Sequence, residues 1–209
     1  MSIKNSEIEL KLKVADPNEW NAIANYVKQL KNCISIEQFD LSAIYYDTVD
    51  KLLSKNRVAY RVRRENNQWI STIKGGGSVT NGIHKRIEYN VPVESGRPDL
   101  NVFPRLPVDE VTEAILRQGN LYAVLQTDFT RQAITVTFNE SKIEIALDKG
   151  KIYADGKECP ILEVEIELIS GREESLLQLG DMLINRFSLE REEYSKFARG
   201  LMLSGNLKT

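Results

Sequence analysis

Three stretches of the chain alternate charged and apolar residues with a period of two. They cover residues 7–13, 57–63 and 163–168. Successive side chains of a β-strand point to opposite faces, so each stretch would present one face that is almost entirely ionic. Two of these faces carry carboxylates and one carries guanidinium groups, and the three stretches lie far apart in the chain. The pattern predicts strands of one barrel whose interior is charged.

Apolar residues at helical spacing predict helices outside this barrel. Asp16 can cap a helix whose first position is Pro17, and Glu19 would complete a capping box. The apolar stripe that follows, over residues 20–30, recurs at the period of an amphipathic helix. Further helices are predicted near residues 109–118, 176–187 and 194–203.

Strands are predicted in most of the intervening segments. Residues 75–77, three glycines in a row, are expected to form a mobile loop. Turns at Asn139-Glu140 and Lys149-Gly150 suit hairpins. The predicted strands cover residues 7–13, 42–47, 57–64, 68–74, 83–92, 128–138, 141–148, 151–154 and 161–168.

These elements predict an α+β fold, a closed eight-stranded antiparallel β-barrel with a charged interior and helices packed outside. Ile8, Leu10 and Leu12 would point outward against the helices. We expect His84 at the barrel mouth, and the helix that carries Lys196 across one end. The lumen would receive Glu7, Glu9, Lys11, Arg61, Arg63, Thr72, Lys74, Arg86, Glu88, Arg131, Glu144, Asp148, Glu163, Glu165 and Glu167.

Composition narrows the functional classes. The 28 basic and 30 acidic residues nearly cancel, whereas bulk nucleic-acid binding usually leaves a basic excess. The N-terminus has no apolar signal core, and no apolar run approaches the roughly 20 residues that span a bilayer. Cys33 and Cys159 lack metal-ligand spacing, and His84 is the single histidine, which argues against a zinc site. We expect a cytoplasmic protein with reduced thiols.

The charged residues suggest phosphate chemistry. Unpaired buried charges cost several kcal/mol each, so an ionic lumen needs compensation. The carboxylates concentrate at residues 7–9 and 163–167, and oxygen-only clusters suit Mg²⁺ or Mn²⁺. Arginine and lysine suit phosphoryl oxygens. Metal on one wall and bases on the other would clamp a short phosphate chain, which water activated by the metal can attack in line.

Taken in order, these residues resemble the CYTH family of triphosphate tunnel metalloenzymes over nearly the whole chain. The likeness is greatest to the bacterial inorganic triphosphatases of that family, in which a helical CHAD domain follows. This chain ends at Thr209, so we expect a single CYTH domain over residues 1–209. The matching motifs are Glu7-x-Glu9-x-Lys11, Tyr45-Tyr46-Asp47-Thr48, Arg61-x-Arg63, Lys74, Arg86-x-Glu88, Arg131, Glu144 with Asp148, Glu163-x-Glu165-x-Glu167 and Ser195-Lys196.

The resemblance implies hydrolysis of inorganic triphosphate to pyrophosphate and phosphate with Mg²⁺, or with Mn²⁺, as cofactor. The implied metal-binding residues are Glu7, Glu9, Glu163, Glu165 and Glu167. The implied substrate-binding residues are Lys11, Arg61, Arg63, Lys74, Arg86, Arg131 and Lys196. The implied catalytic residues are Glu7, Glu9, Glu88, Glu144 and Asp148.

Two other interpretations stay open. The enzyme would act on thiamine or nucleoside triphosphates or cyclise ATP in the manner of class IV adenylate cyclases, or the chain would bind polyphosphate without turnover. The two carboxylate clusters disfavour a binding module, since holding an anion needs bases more than acids. Some compact family members have a catalytic lysine where this chain has Phe129, so their mechanism is not transferred. A small-molecule triphosphate is the expected partner, not nucleic acid or membrane, and the oligomeric state is left open.

Overall fold

The computed structural model describes residues 6–207, which form nine strands and five α-helices. The strands are β1 (Glu7–Val14), β2 (Cys33–Asp47), β3 (Ala59–Glu65), β4 (Gln68–Thr80), β5 (Ile83–Val93), β6 (Tyr122–Phe138), β7 (Ser141–Ala154), β8 (Lys157–Ser170) and β9 (Leu189–Arg191). The helices are α1 (Trp20–Lys28), α2 (Leu52–Lys55), α3 (Glu110–Gln118), α4 (Glu173–Ile184) and α5 (Lys196–Leu203). No helix in the described part of the chain is long and apolar enough to span a bilayer.

Strand β1 closes the sheet into a barrel because it pairs along both edges. Its residues 7–10 pair antiparallel with β5, and its residues 9–13 pair antiparallel with β8. From β5 the sheet continues through β4, β3, β2, β6 and β7 back to β8. Over residues 6–207, eight antiparallel strands therefore form a closed ring, which confirms the predicted fold class. The short strand β9, which was not predicted, pairs with residues 12–14 of β1.

Helices α1 and α4 cover one side of the barrel. Leu10 and Leu12 of β1 are fully buried in a cluster with Ile23 and Val27 of α1 and Leu179 of α4. Burial of one such side chain contributes about 1.5–3 kcal/mol. A one-residue slip of β1 would turn these leucines inward and expel the charges, so the apolar face fixes which residues reach the lumen.

A second outer cluster lies under the segment between β5 and β6. Tyr60 of β3 meets Phe103 edge-on, with ring centroids 6.0 Å apart. Leu106 and Leu116 are buried in the same cluster. Two separate apolar layers therefore hold the barrel from outside, and the lumen needs no apolar core along most of its length.

Helix α5 lies across one end of the barrel and packs on β6, β7 and β8. Its Phe197 and Leu201 share an apolar cluster with Leu125 of β6 and Ile152 of β7. This placement agrees with the expectation that the helix carrying Lys196 covers one end of the lumen. It also brings the ammonium group of that lysine inside the barrel.

The three consecutive glycines belong to a strand and not to the predicted loop. Strand β4 continues through residues 75–77, with a register shift opposite β5. Gly77 has φ +121°, and a Cβ atom there would collide with the carbonyl oxygen of Lys85. A bulge of this kind needs glycine because the extra residue leaves the normal extended conformation.

The predicted turn at Lys149-Gly150 is also wrong. Strand β7 runs through both residues, and its hairpin with β8 turns at Asp155-Gly156 instead. A Cβ atom on Gly150 would collide with the backbone of Asp128 on β6. This glycine permits close strand contact and does not mark a chain reversal.

Two further local predictions need correction. The strand predicted over 42–47 begins at Cys33 and pairs with β6 along its length. Asp16 accepts from the backbone N–H of Asn18 at 2.9 Å, as a cap should. Glu19 does not complete the capping box, because its Oε2 accepts from the backbone N–H of Ser188 at 2.6 Å.

Candidate active site

The inward faces of the strands enclose a cavity of about 190 Å³. Eleven of the fifteen residues predicted for the site line it, namely Glu7, Lys11, Arg61, Arg63, Lys74, Arg86, Glu88, Arg131, Glu165, Glu167 and Lys196. The other four are Glu9, Glu144, Asp148 and Glu163. Glu9, Asp148 and Glu163 form ion pairs with lining residues, and Glu144 lies in register with Glu167 across β7 and β8.

Glu7 is a carboxylate whose charge is poorly compensated. Its Oε1 accepts from Lys74 Nζ at 2.8 Å, but its buried Oε2 accepts no hydrogen bond. Burial outweighs the attraction of Lys74 and, with repulsion from Glu9 and Glu88, raises the pKa of Glu7 to about 8. A buried carboxyl with an unused oxygen is suited to accept a cation.

Glu9 has the opposite environment, although it lies only two residues further along β1. Arg86 Nη2 donates to its Oε1 at 2.6 Å, and Lys11 Nζ donates to its Oε2 at 3.1 Å. Burial raises the pKa of this carboxyl, but Lys11, Lys74 and Arg86 together lower it to about 2. Glu9 is therefore an anion held between bases.

Glu88 of β5 completes this end of the cavity. Lys74 Nζ lies 3.2 Å from its Oε2, and Asn90 Nδ2 donates to its Oε1 at 2.9 Å. Burial raises the pKa of Glu88, but Lys74, a side-chain hydrogen bond with Glu7, the charge of Arg61 and the bond from Asn90 together hold it below its usual range. The lysine is thus shared between Glu7 and Glu88, which leaves one positive charge for two acids.

A second acidic cluster, formed by Asp148, Glu163 and Glu165, lies nearer to α5. One carboxylate oxygen from each lies within 4.8 Å of the others. Lys196 Nζ donates to Asp148 at 2.7 Å and to Glu165 at 2.9 Å, and it also contacts Glu163. Despite its burial, these acids raise the pKa of Lys196. The predicted phosphate ligand is therefore an ammonium ion surrounded by carboxylates.

Two arginines hold this cluster from its sides. Arg131 donates through Nε and Nη2 to the two oxygens of Asp148, at 2.7 and 2.6 Å. Arg199 donates through Nη1 to Glu163 Oε2 at 2.9 Å. Fork-shaped pairs of this kind fix the direction of a carboxylate as well as its charge.

Arg61, Arg63 and Arg86 leave donors unused inside the barrel. The Nε group of each is buried without a hydrogen-bond partner. Arg61 Nη1 donates to the hydroxyl of Tyr45 at 3.1 Å, and Arg63 pairs with Glu65. Burial and the neighbouring Arg61 lower the pKa of Arg63 to about 10. Buried donors without partners cost free energy, and an oxyanion in the cavity would satisfy them.

The expected position of His84 is wrong. It is 1% exposed, and its Nε2 lies 3.1 Å from the backbone oxygen of Glu192. Burial, with the positive charges of Lys11 and Arg86, lowers the pKa of the imidazole to about 4. His84 is therefore a buried neutral ring that does not line the cavity, and it is not an exposed group at the mouth.

Sequence analysis missed two residues that organise the site. Tyr45, which belongs to a matching family motif but was given no role, lines the cavity and stacks on Phe197 of α5, with ring centroids 5.4 Å apart. Its place on the inward face follows from its register with Arg61. Arg199 follows Lys196 by three residues on α5, and this spacing puts both on one helix face.

Comparison with known proteins agrees with this geometry. The chain matches the CYTH domain profile over residues 5–201. It belongs to the CYTH family. The family resemblance inferred from the sequence is thus confirmed, and the family implies a divalent metal ion in a barrel of this kind.

A curated relative and two solved structures are similar to this CYTH chain. The chain is 33% identical to the inorganic triphosphatase of Haemophilus influenzae over 204 residues, which are 97% of this chain and 56% of that protein. The chain thus spans about half the length of that curated relative.

A Hippeastrum protein described as an adenylyl cyclase candidate with a dominant triphosphatase activity has a TM-score of 0.66 at 17% identity, with 97% of both chains covered. The triphosphatase of a mimivirus capping enzyme has a TM-score of 0.51 at 17% identity, with 87% and 90% covered. At these identities, the two structures show the fold alone.

The residues of this CYTH barrel fit a divalent ion. The unused oxygen of Glu7 is a hard ligand without a partner, and the cluster of Asp148, Glu163 and Glu165 offers oxygens at chelating distance. The two places differ in charge. Lys196 already neutralises part of the second cluster, whereas Glu7 shares its lysine with Glu88.

Proposed function

We propose that this protein hydrolyses inorganic triphosphate to pyrophosphate and phosphate in its lumen, with Mg²⁺ or Mn²⁺ as cofactor. The observation that carries the proposal is a pair of unmet demands in one cavity. Three buried arginine Nε groups lack an acceptor, and the buried Oε2 of Glu7 lacks a donor or cation. An anion of several phosphoryl groups with its metal ion satisfies both demands together.

In this proposal the bases hold the phosphate chain. The candidate donors are the unused Nε groups of Arg61, Arg63 and Arg86, the guanidinium group of Arg131 and the ammonium groups of Lys11, Lys74 and Lys196. Each of these side chains already contacts a carboxylate or hydroxyl that orients it, so few rotamers have to be ordered when the substrate enters. Positive charges placed in advance around the phosphoryl oxygens stabilise charge that develops in the transition state.

The acids hold the metal ion and order the attacking water. The proposed metal ligands are Glu7, Glu9, Glu163, Glu165 and Glu167, and Glu88, Glu144 and Asp148 are the further catalytic candidates. When bound, Mg²⁺ supplies Lewis-acid polarisation and lowers the pKa of a coordinated water. Glu88, kept ionised by Lys74 and Asn90, can accept a proton. Asp148, gripped by Arg131, orients that arginine toward the cavity.

The size of the cavity supports a compact substrate. About 190 Å³ lies below the range of roughly 300–1,000 Å³ found for pockets that hold drug-sized ligands. The aromatic rings on its wall are already engaged. Tyr45 stacks on Phe197, and Phe129 lies under Lys196 Nζ at 5.0 Å. A nucleoside would have to displace these contacts, whereas a bare phosphate chain would not.

The relatives support the same proposal. The Haemophilus influenzae relative is named an inorganic triphosphatase. The Hippeastrum structure pairs the words adenylyl cyclase and triphosphatase, so hydrolysis of thiamine or nucleoside triphosphates and class IV cyclisation of ATP remain the alternative. A binding module without turnover is a weaker alternative, because the lumen contains buried acids, and these would repel an anion.

We further infer that residues 1–209 act as one CYTH domain in the cytoplasm, on a small molecule and not on nucleic acid or a membrane. The near balance of 28 basic and 30 acidic residues supports this.

A phosphate-release screen tests the proposed function. Inorganic triphosphate, ATP, thiamine triphosphate and long polyphosphate are compared in Mg²⁺ and in excess chelator. We expect triphosphate to be the best substrate and its hydrolysis to stop without metal. Glu9→Gln should lose turnover, whereas Glu173→Gln, which removes a surface carboxylate paired with Lys85, should not. Hydrolysis that continues in chelator, or no hydrolysis of any triphosphate, would reject the proposal.

A further inference from the structure

Lys196 occupies the place where a cation would bind the second acidic cluster. Its Nζ contacts all three carboxylates of Asp148, Glu163 and Glu165, at 2.7 Å from the first and 2.9 Å from the third. The side chain is 6% exposed. An ammonium ion at the centre of three buried carboxylates satisfies them in the absence of metal.

We propose that Lys196 is a placeholder cation, displaced from this cluster by a divalent ion and thereby released toward the phosphate chain. The inference rests on the proposed function only in that a divalent ion enters the lumen. In this proposal the Lys196 side chain has two positions. Without metal it contacts the acids, and with metal it faces the substrate.

The distances show why both cations cannot share the cluster. Mg²⁺ binds oxygen at about 2.0–2.1 Å, so opposite ligands of its octahedron lie about 4 Å apart. The three carboxylate oxygens lie within 4.8 Å of one another, so an inward movement of these side chains would bring all three onto one ion. The ammonium group stands among them at 2.7–2.9 Å from two of them. It has to leave before the ion enters.

The surroundings keep the carboxylates in place after the lysine departs. Arg131 holds Asp148 through two hydrogen bonds, and Arg199 holds Glu163 through another at 2.9 Å. Lys196 itself is the first residue of α5 and lines the cavity. Its ammonium lies 5.0 Å from the ring of Phe129, which lines the same cavity, so a change of rotamer can turn it from the carboxylates toward the open part of the lumen.

The test measures Mn²⁺ binding in the absence of any phosphate compound. Lys196→Met removes the charge and keeps a chain of similar length. We expect its affinity for Mn²⁺ to exceed that of the wild type by at least ~10-fold, because the ion no longer displaces the Lys196 ammonium, and only Lys11 still donates to the shared Oε1 of Glu165. Lys196→Arg, which keeps a cation, should not gain affinity. Lys85→Met, a surface lysine paired with Glu173, should match the wild type.

Hydrogen exchange of α5 separates displacement from a general change of charge. In the wild type, saturating Mn²⁺ should speed exchange in the first turn of α5, and Lys196→Met should show no such response. Unchanged Mn²⁺ affinity in Lys196→Met, or tighter binding without any Mn²⁺ effect on α5 of the wild type, would overturn the proposal. If Lys196→Met does not fold, the wild-type exchange measurement decides alone. Triphosphate hydrolysis by the wild type is assayed separately, so the proposed function can stand while this inference fails.

Discussion

Glu7 and Glu9 lie on the same inward face of β1, but their neighbours give them different charge states. Glu9 lies between Lys11 and Arg86, whereas Glu7 shares Lys74 with Glu88. The alternation of residue types could predict that both face the lumen. It could not predict which acid would be well paired, because pairing depends on the register between β1, β4 and β5.

This difference predicts opposite effects on the stability of the metal-free protein. Glu7→Gln should stabilise it by roughly 1–3 kcal/mol at neutral pH, because burial of that carboxyl is poorly compensated. Glu9→Gln should destabilise it, since Lys11 and Arg86 would lose a buried partner. Urea unfolding in chelator measures both variants, and stabilisation by Glu9→Gln would contradict the assignment.

Arg61 offers the cleanest test of substrate binding. Its hydrogen-bond partner is the neutral hydroxyl of Tyr45, so Arg61→Ala breaks no direct ion pair and removes only a longer-range attraction to Glu88. Losing a charged hydrogen bond should weaken triphosphate binding by about 1.5–3 kcal/mol, roughly 10- to 150-fold. Arg64, three residues later and exposed, supplies the control Arg64→Ala. Equal dissociation constants for the two variants would remove Arg61 from the binding site.

His84 predicts a dependence of stability on pH. Its pKa is about 4 in the folded protein and near 6.5 when unfolded, so the unfolded state binds more protons between these values. The contribution of the neutral His84 ring to the free energy of unfolding is therefore fully present above about pH 6.5, and it is lost as the pH falls toward 4. The groups facing the ring are Glu9, Lys11 and Arg86. From pH 7 to pH 5 the wild type should lose roughly 2 kcal/mol more than His84→Gln. Parallel losses in urea titrations at the two pH values would contradict this.

Helix α5 joins the acidic cluster to the arginines at the scale of an element. Lys196 reaches the carboxylates, and Phe197 stacks on Tyr45, which in turn holds Arg61. The periodicity of the sequence predicted this helix within two residues. The sequence also led us to expect this helix across one end of the barrel. Its contacts with individual strands could not be predicted, because those strands lie far away in the chain.

We expect Phe197→Ala to cost about 3 kcal/mol or more in the free energy of unfolding, as buried phenylalanine truncations do. The loss of the stack should also raise KM for triphosphate, since Tyr45 would orient Arg61 less firmly. Tyr194→Ala, at an exposed position just before α5, is the matched control. Chemical denaturation and steady-state kinetics measure the two effects. A Phe197→Ala protein as stable as the control would show that α5 does not anchor this end.

At the same scale, the glycines that lie within strands show the limit of what the local sequence can predict. Glycine usually indicates a turn, and residues 75–77 and 150 were interpreted in that way. In the barrel they permit a bulge and a close strand contact. Both features depend on the neighbouring strands, whose positions the local sequence does not reveal.

At the scale of the whole molecule, the closed barrel follows from the period-two pattern with little additional information. A strand with one ionic and one apolar face needs a suitable environment for each, and the outer helices pack against the apolar face. The lumen then collects the charges of distant strands. What the pattern does not specify is the balance between acids and bases inside, and that balance decides which ions the lumen accepts.

The ratio of catalytic efficiencies for inorganic triphosphate and ATP tests the central claim most directly. Both are measured as kcat/KM on one preparation at saturating Mg²⁺. A small lumen whose bases surround every phosphoryl group should favour triphosphate by at least ~100-fold, about 2.7 kcal/mol of differential transition-state binding. Equal efficiencies, or cyclic AMP as the main product from ATP, would contradict it.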